Sequence, residues 1–438
     1  VAANSREMSN YYHFDSGKDG KMSAAFDANF TKVRYFKWDD ANMSKYFGPT
    51  QNYSLDVDYK MDQNNSLNLY LDYENTNQQF KKFTSASGPF SYLGIYNVDR
   101  KSASLTYNGA NANSNYMVSA TYGELKKDVT SAMVANSVGS SKFNFWNIEA
   151  RDTIKLNDSN RLTFGGEFRT DSRKDSSIDE SSDQYSLFVH DELKIGEKLL
   201  LIPAIRYDHH DSFGNETSPN IGATYSFTDT TRFKANYGEG YRAPSISELY
   251  GTYSNPNLRP EKSKGYELSY EQEFDTDTAV KLTYFKNKKT DAIAMDYSLA
   301  PNYQYMNIEK SSSEGVEFEI KHDLGNGFTV IGNYDYLDAM NDKTNTRLNY
   351  NARNTYTAKL MWTEPVKQEW NITAWNKWYS DYRADNEDHS INTFNFVVNK
   401  RWGDKYRAYA GIDNLFDKKI TEMRYSGRLW RVGAEMTF

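Results

Sequence analysis

Apolar and polar residues alternate strictly along much of the chain. Met22, Ala24, Phe26, Ala28 and Phe30 are interleaved with Ser23, Ala25, Asp27, Asn29 and Thr31. The same period of two runs through residues 53–61, 220–227 and 430–438. This period puts one set of side chains on each face of a β-strand, so it predicts strands with one apolar and one polar face. No segment of comparable length shows a helical period.

Short turn compositions separate many of these strands. They are Gly17-Lys18-Asp19-Gly20, Asp62-Gln63-Asn64-Asn65, Asn157-Asp158-Ser159-Asn160, Gly196-Glu197-Lys198, Asp229-Thr230-Thr231, Gly325-Asn326-Gly327 and Gly403-Asp404-Lys405. Gly, Asn, Asp and Ser supply the backbone conformations that tight hairpins need. Between them lie longer polar stretches at residues 37–49, 81–93, 128–141, 173–182, 243–262 and 383–388. Tight and long connections therefore alternate, as in a transmembrane barrel with short periplasmic turns and long extracellular loops. A propeller, the soluble rival, packs four short strands into a repeat of about 40 residues. Here a unit of that size holds only two strands. Each is long enough to cross the hydrocarbon layer, which takes about 9–11 residues when tilted.

Composition sharpens this reading. The chain has 438 residues, 35 Tyr, 24 Phe and 8 Trp, and a net charge of −7. That aromatic content argues against disorder and suits interfacial girdles. The polar faces carry Asp56, Asp58, Lys60, Asp72, Glu74, Glu267, Glu271, Glu317, Glu319, Lys359 and Lys377, too charged for a packed core. No run approaches the ~18 apolar residues of a membrane helix. With no cysteine, disulfides, thiolate metal sites and a Cys nucleophile are excluded. The acidic balance and the lack of a basic stripe argue against a nucleic-acid partner. The first residues lack a basic segment followed by an apolar one, which is the mark of a mature or trimmed chain.

From Pro203 onward several motifs occur in order. They are Ile205-Arg206-Tyr207-Asp208-His209-His210, Ser218-Pro219-Asn220-Ile221-Gly222, Tyr241-Arg242-Ala243-Pro244, Asn255-Pro256-Asn257-Leu258, Ser313-Glu314-Gly315-Val316-Glu317-Phe318 and Asn414-Leu415-Phe416, with a terminal Phe438. In this order and spacing they resemble the barrel of TonB-dependent outer-membrane receptors. The resemblance implies a 22-stranded barrel that imports a scarce nutrient, most readily a ferric siderophore, into a bacterium. It further implies an N-terminal plug and a box pulled by the TonB complex. Alternation begins by about residue 10, so residues 1–438 read as barrel alone. The expectation is a plug supplied by a separate polypeptide or by a segment beyond residues 1–438, through which TonB acts. The alternatives are a haem or cobalamin receptor of the same family, and a plug-less passive porin.

Candidate ligand contacts follow from residue chemistry. Tyr250, Tyr253, Tyr379, Tyr382 and Arg383 fall near expected extracellular ends. Their rings can stack on a flat ligand and the arginine can pair with anionic oxygens of a ferric chelate. His210 is expected to point inward with Arg206 and Asp208, and His209 toward lipid. His389 is a lone loop histidine. Haem receptors carry a histidine between the two boxes, whereas residues 245–254 hold none, which favours a structural role for the boxes. No catalytic residues, resident cofactor or metal site are predicted, and a barrel protease lacks its constellation here.

Counting strands by alternating connections gives 21, starting and ending on descending ones. Single-chain bacterial barrels close with even numbers, so one ascending strand is expected before residue 7, in residues beyond 1–438, or on another chain.

Overall fold

The computed structural model describes residues 7–17, 20–37, 43–84, 90–131, 137–275, 277–296, 303–384, 386–420 and 425–438. It consists almost wholly of antiparallel strands. Reading along the chain, these are β1 (Glu7–Asp15), β2 (Met22–Lys37), β3 (Met43–Lys60), β4 (Asn65–Thr84), β5 (Phe90–Ala110), β6 (Ser114–Ser131) and β7 (Ser137–Asn157). They continue as β8 (Asn160–Lys174), β9 (Asp179–Ile195), β10 (Leu199–His210), β11 (Gly214–Ser226), β12 (Thr231–Arg242), β13 (Glu261–Glu273) and β14 (Thr278–Asp296). The last are β15 (Gln304–Gly325), β16 (Phe328–Asn341), β17 (Asn351–Thr363), β18 (Trp370–Ala384), β19 (Glu387–Trp402), β20 (Tyr406–Asp413) and β21 (Leu429–Met436).

Each long strand pairs with the next, and a two-residue strand, Thr346–Arg347, completes a single 22-stranded sheet. A five-residue helix, α1 (Ile246–Tyr250), interrupts the connection from β12 to β13. No helix among the described residues is long and apolar enough to cross a membrane, so any crossing is made by strands.

Register shows why the sequence alternates. Tyr185 and Leu187 of β9 stand opposite His209 and Tyr207 of β10, on one face. Gln184, Ser186, Arg206 and Asp208 share the other. Leu187 is 66% exposed and Leu268 58%, an exposure that a water-facing Leu would make costly and a lipid-facing one would not. The opposite face is charged and becomes the lumen lining. Six of the seven tight turns read from the sequence join consecutive strands here, and the seventh, at 17–20, includes residues 18 and 19, which lie outside the described residues.

The long polar stretches need correction. Residues 37–49, 81–93 and 128–141 are largely strand, because β2 to β7 run on to residues 37, 43, 84, 90, 131 and 137. Their tips, 38–42, 85–89 and 132–136, lie outside the described residues. Above the bilayer a hairpin still pairs its backbone but needs no apolar face, so alternation fades while the strand continues. The stretches 173–182 and 383–388 shrink for the same reason. Residues 243–260 remain a true long connection, and 342–350 and 414–428 join it at the same end.

Among the described residues, β1 is hydrogen-bonded only to β2, and β21 only to β20. Twenty antiparallel steps separate them, so they run in the same direction. The ascending strand expected between them lies outside the described residues.

A candidate ligand site in the lumen wall

The connection from β12 to β13 turns inward and builds a shelf. Ser245 caps α1, and its hydroxyl accepts from Glu248 N at 3.2 Å while the Glu248 carboxylate accepts from Ser245 N at 2.7 Å. This reciprocal box satisfies two helix-end donors. Arg242 donates to Glu248 at 3.0 and 3.2 Å and to Glu261 at 2.9 Å. Glu261 also accepts from Ile293 N at 2.8 Å and pairs with Lys289 at 3.4 Å. One arginine thus joins both ends of the connection.

Burial alone would hold the Glu248 carboxyl up. The hydrogen bonds from Arg242 and Ser245 outweigh it and leave the group below its ordinary value.

The shelf is tied to distant strands. α1 lies against β8 and β9, with Leu249 buried and Arg173 of β8 donating to the Ser247 hydroxyl. At the other end, Asn255 donates to the Tyr305 carbonyl at 2.9 Å, and Arg259 N donates to Asn307 Oδ1 at 2.9 Å. Asn255 and Leu258 are both buried. Ala243, Pro244, Pro256 and Asn257 belong to this same connection, and Tyr241 lies at the end of β12 just before it. The paired boxes are therefore the anchors of the shelf.

Between the shelf and the lumen faces of β4 to β10 lies a cavity of about 580 Å³. Phe143, Phe145, Leu125 and Leu249 line it, together with Arg100, Asp171, Ser182, Gln184 and His210. The Arg169 guanidinium sits 4.7 Å over the Phe145 ring and that of Arg173 5.1 Å over Phe143. Phe145 occupies space that only a glycine at 123 leaves open, because a Cβ there would collide with its ring. Arg100, Arg169 and Arg173 are each paired with a carboxylate, from Glu74, Asp171 and Asp175 respectively. The cavity therefore offers Phe143 and Phe145 beside the Arg100 guanidinium, with Arg169 and Arg173 set against the two rings, a surface suited to a flat ligand with anionic oxygens.

The residues singled out in the sequence divide among three places. His210 does face the lumen, and it is buried. Both of its ring nitrogens are engaged: Nδ1 accepts from Ser212 N at 3.1 Å, and Nε2 lies 2.9 Å from the Ser182 hydroxyl, which itself donates to Asp211 at 2.8 Å. Its ring stacks on Phe213 at 4.1 Å. This arrangement leaves His210 a wall residue with no nitrogen to spare.

Tyr250 and Tyr253 are exposed on the shelf, and Tyr253 meets Tyr303 edge-on at 5.8 Å. Tyr379, Tyr382 and Arg383 lie on β18, apart from that pair. Lys377 covers the Tyr379 ring at 4.8 Å, and Arg383 lies 3.6 Å from Asp388. His389 is on β19 opposite Tyr382 rather than in a loop. Asn414, almost fully buried, accepts from Lys418 N at 3.0 Å and donates to its carbonyl at 2.7 Å. Leu415 N donates to the Phe394 carbonyl at 2.7 Å, while Phe416 and Phe438 are exposed. The Asn414-Leu415-Phe416 motif is thus a turn lock.

Phe143, Phe145, Arg169 and Arg173 were not legible as a group. Phe145 and Trp146 are consecutive aromatics of opposite phase, and that slip was the available sign of an aromatic turned into the lumen.

Comparison with known proteins agrees with this architecture. The family model described as "TonB dependent receptor-like, beta-barrel" matches residues 2–415. The chain belongs to this family. The ferric enterobactin receptor of Pseudomonas aeruginosa is 28% identical over 294 residues, covering 56% of this chain and 39% of that receptor. The chain thus spans about two-fifths of that relative. A crystal structure of a mutant of the same receptor superposes with a TM-score of 0.84 at 17% identity, covering 99% of this chain and 78% of that one. The siderophore receptor PirA of Acinetobacter baumannii gives 0.82 at 16% identity over 100% and 79%. The iron transporter FrpB of Neisseria meningitidis gives 0.81 at 13% over 100% and 80%. At these identities the structures share the barrel fold with this TonB-dependent receptor barrel.

Proposed function

We propose that the chain is the outer-membrane barrel of a TonB-dependent importer for a ferric siderophore, with an aromatic, anionic chelate as its ligand. The observation that carries the reading is the lumen cavity in which Phe143 and Phe145 lie under the guanidinium groups of Arg173 and Arg169. The similarity to a ferric enterobactin receptor supports iron as the cargo, which travels as substrate and is not a resident cofactor.

The lumen is filled by a globular domain that carries the TonB-binding box, on this polypeptide or a separate one. Support comes from the wall itself. Glu317, Glu319, Lys281 and Lys359 face inward and make no ion pair among the described residues, leaving them for a polar occupant or water.

Growth under iron limitation, with ferric enterobactin as the sole iron source, tests the import reading. Cells carrying Phe143→Ala/Phe145→Ala should take up the chelate at least about tenfold more slowly, while the barrel keeps its heat-shifted gel mobility. Unchanged growth after deletion of the whole chain, on this and other siderophores, would overturn the reading. Planar-bilayer recordings on the complex from native membranes should show little conductance. A steady large conductance would favour an open porin.

A further inference from the structure

The outward face of β13 to β15 changes character at its extracellular end. Tyr266, Leu268, Leu282 and Tyr284 form an exposed apolar band. One step higher the same face carries Lys264, Lys286 and Lys288, with Lys310 of β15 exposed above them. Register puts Lys264 directly opposite Lys288, and like charges in that position destabilise a sheet. Glu239 accepts from Lys264 at 2.8 Å and Glu314 from Lys286 at 2.6 Å. Asp338 on the neighbouring β16 is taken by Arg353 at 2.9 Å, and Asp342, whose amide donates to the Lys310 carbonyl, accepts from the Ser312 hydroxyl at 2.6 Å and lies near this face without an ion pair of its own among the described residues. Lys288 and Lys310 make no ion pair among the described residues.

On the outward face of β5 to β7, Lys126 likewise stands opposite Lys142, but each lysine there has a carboxylate partner. Lys101 and Lys142 share Glu124 at 4.0 and 2.8 Å, and Lys126 meets Asp128 at 3.0 Å.

We propose that the lysine face of β13 to β15 binds the phosphate headgroups of anionic lipid in the outer leaflet. An apolar band positions acyl chains, and long ammonium side chains just above it reach the headgroup level. A phosphate between Lys264 and Lys288 relieves their repulsion and gives Lys288 its missing counter-charge. The ligand is a lipid and not free phosphate, because the site opens onto the lipid-facing side of the sheet and not onto the lumen. The inference rests on the barrel reading of that apolar face and is independent of the transported ligand.

The test uses the protein isolated from native membranes with whatever fills its lumen, exchanged into a zwitterionic detergent. It is titrated with lipid A bearing both phosphates and with the same lipid after dephosphorylation, and bound lipid is counted by native mass spectrometry. The phosphorylated lipid should bind about tenfold more tightly, in keeping with the modest attraction of each surface lysine. Lys264→Gln/Lys288→Gln should erase that preference, whereas Lys126→Gln/Lys142→Gln should keep it. Equal binding of the two lipids by the unaltered protein would overturn the proposal. So would displacement of the lipid by millimolar inorganic phosphate, which would point to a free-anion site. Failure of the barrel reading would look different, with neither lipid retained.

Discussion

Arg242 shows how much one side chain can organise. Its guanidinium satisfies Glu248 and Glu261, whose side chains are 15% and 8% exposed. Replacing it with Met keeps the stem and removes the donors, leaving two shielded carboxylates without their main partner. Arg242 is itself 45% exposed, so water softens the loss. We expect about 1–3 kcal/mol, below the cost of breaking a fully buried pair. The Arg242→Met barrel should lose its heat-resistant gel form at lower temperature. Residues 243–260 should also become sensitive to protease before the strands do. Retention of wild-type protease resistance would show that the boxes hold the shelf without this ion-pair hub. The Arg242 side chain was read from sequence only as part of a motif; its two acidic partners lie 6 and 19 positions away, and only the fold brings them together.

At the scale of elements, the strands were largely legible and the loops were not. β14 runs Thr278–Asp296, and its outward Val280, Leu282 and Tyr284 obey the period of two that lipid imposes. Where lipid ends, as in residues 81–93, polarity no longer reports on backbone pairing. α1 is too short to show a helical period, yet Ser245 and Glu248 carry the S-x-x-E signature of its cap.

The turn between β8 and β9 is another element built on local polar chemistry, and it supports a pH prediction. Asp175 accepts from Ser177 N at 2.8 Å and Ile178 N at 3.0 Å, and pairs with Arg173 at 2.7 Å. The Ser177 amide is the largest influence, burial works against it, and the Ser177 hydroxyl and Arg173 add to the lowering; the carboxyl falls to about 2. A carboxyl depressed in the folded state stabilises above its unfolded pKa of about 3.9, and that contribution is lost as pH falls toward 2. Amide exchange at Ser177 and Ile178 should therefore accelerate beyond its intrinsic rate between about pH 4 and 2. The Asp175→Asn turn should exchange faster throughout and lack that pH dependence. An identical pH profile in the variant would refute the assignment.

For the whole molecule, the direction of every strand follows from the alternation of connections, and the structure gives the consequence a testable form. β1 and β21 both descend, and each has one neighbour among the described residues. Direct pairing would make them the only parallel neighbours in an otherwise antiparallel sheet, and leaving them unpaired would expose backbone groups to lipid at several kcal/mol each. One ascending strand between them satisfies both edges, whichever polypeptide supplies it. Such a strand sets β1 and β21 about 10 Å apart, twice the ordinary interstrand spacing. A disulfide needs Cα atoms within about 7 Å. The chain has no cysteine, so introduced pairs report cleanly. Pairs joining Tyr11 or His13 to Val432, Ala434 or Met436, each changed to Cys, should fail to cross-link under oxidation in native membranes. A control pair across the β1–β2 register, Tyr12 and Ala28, should cross-link readily. Efficient bridging of β1 directly to β21 would show that the two edges abut, and the count of one further strand would be wrong.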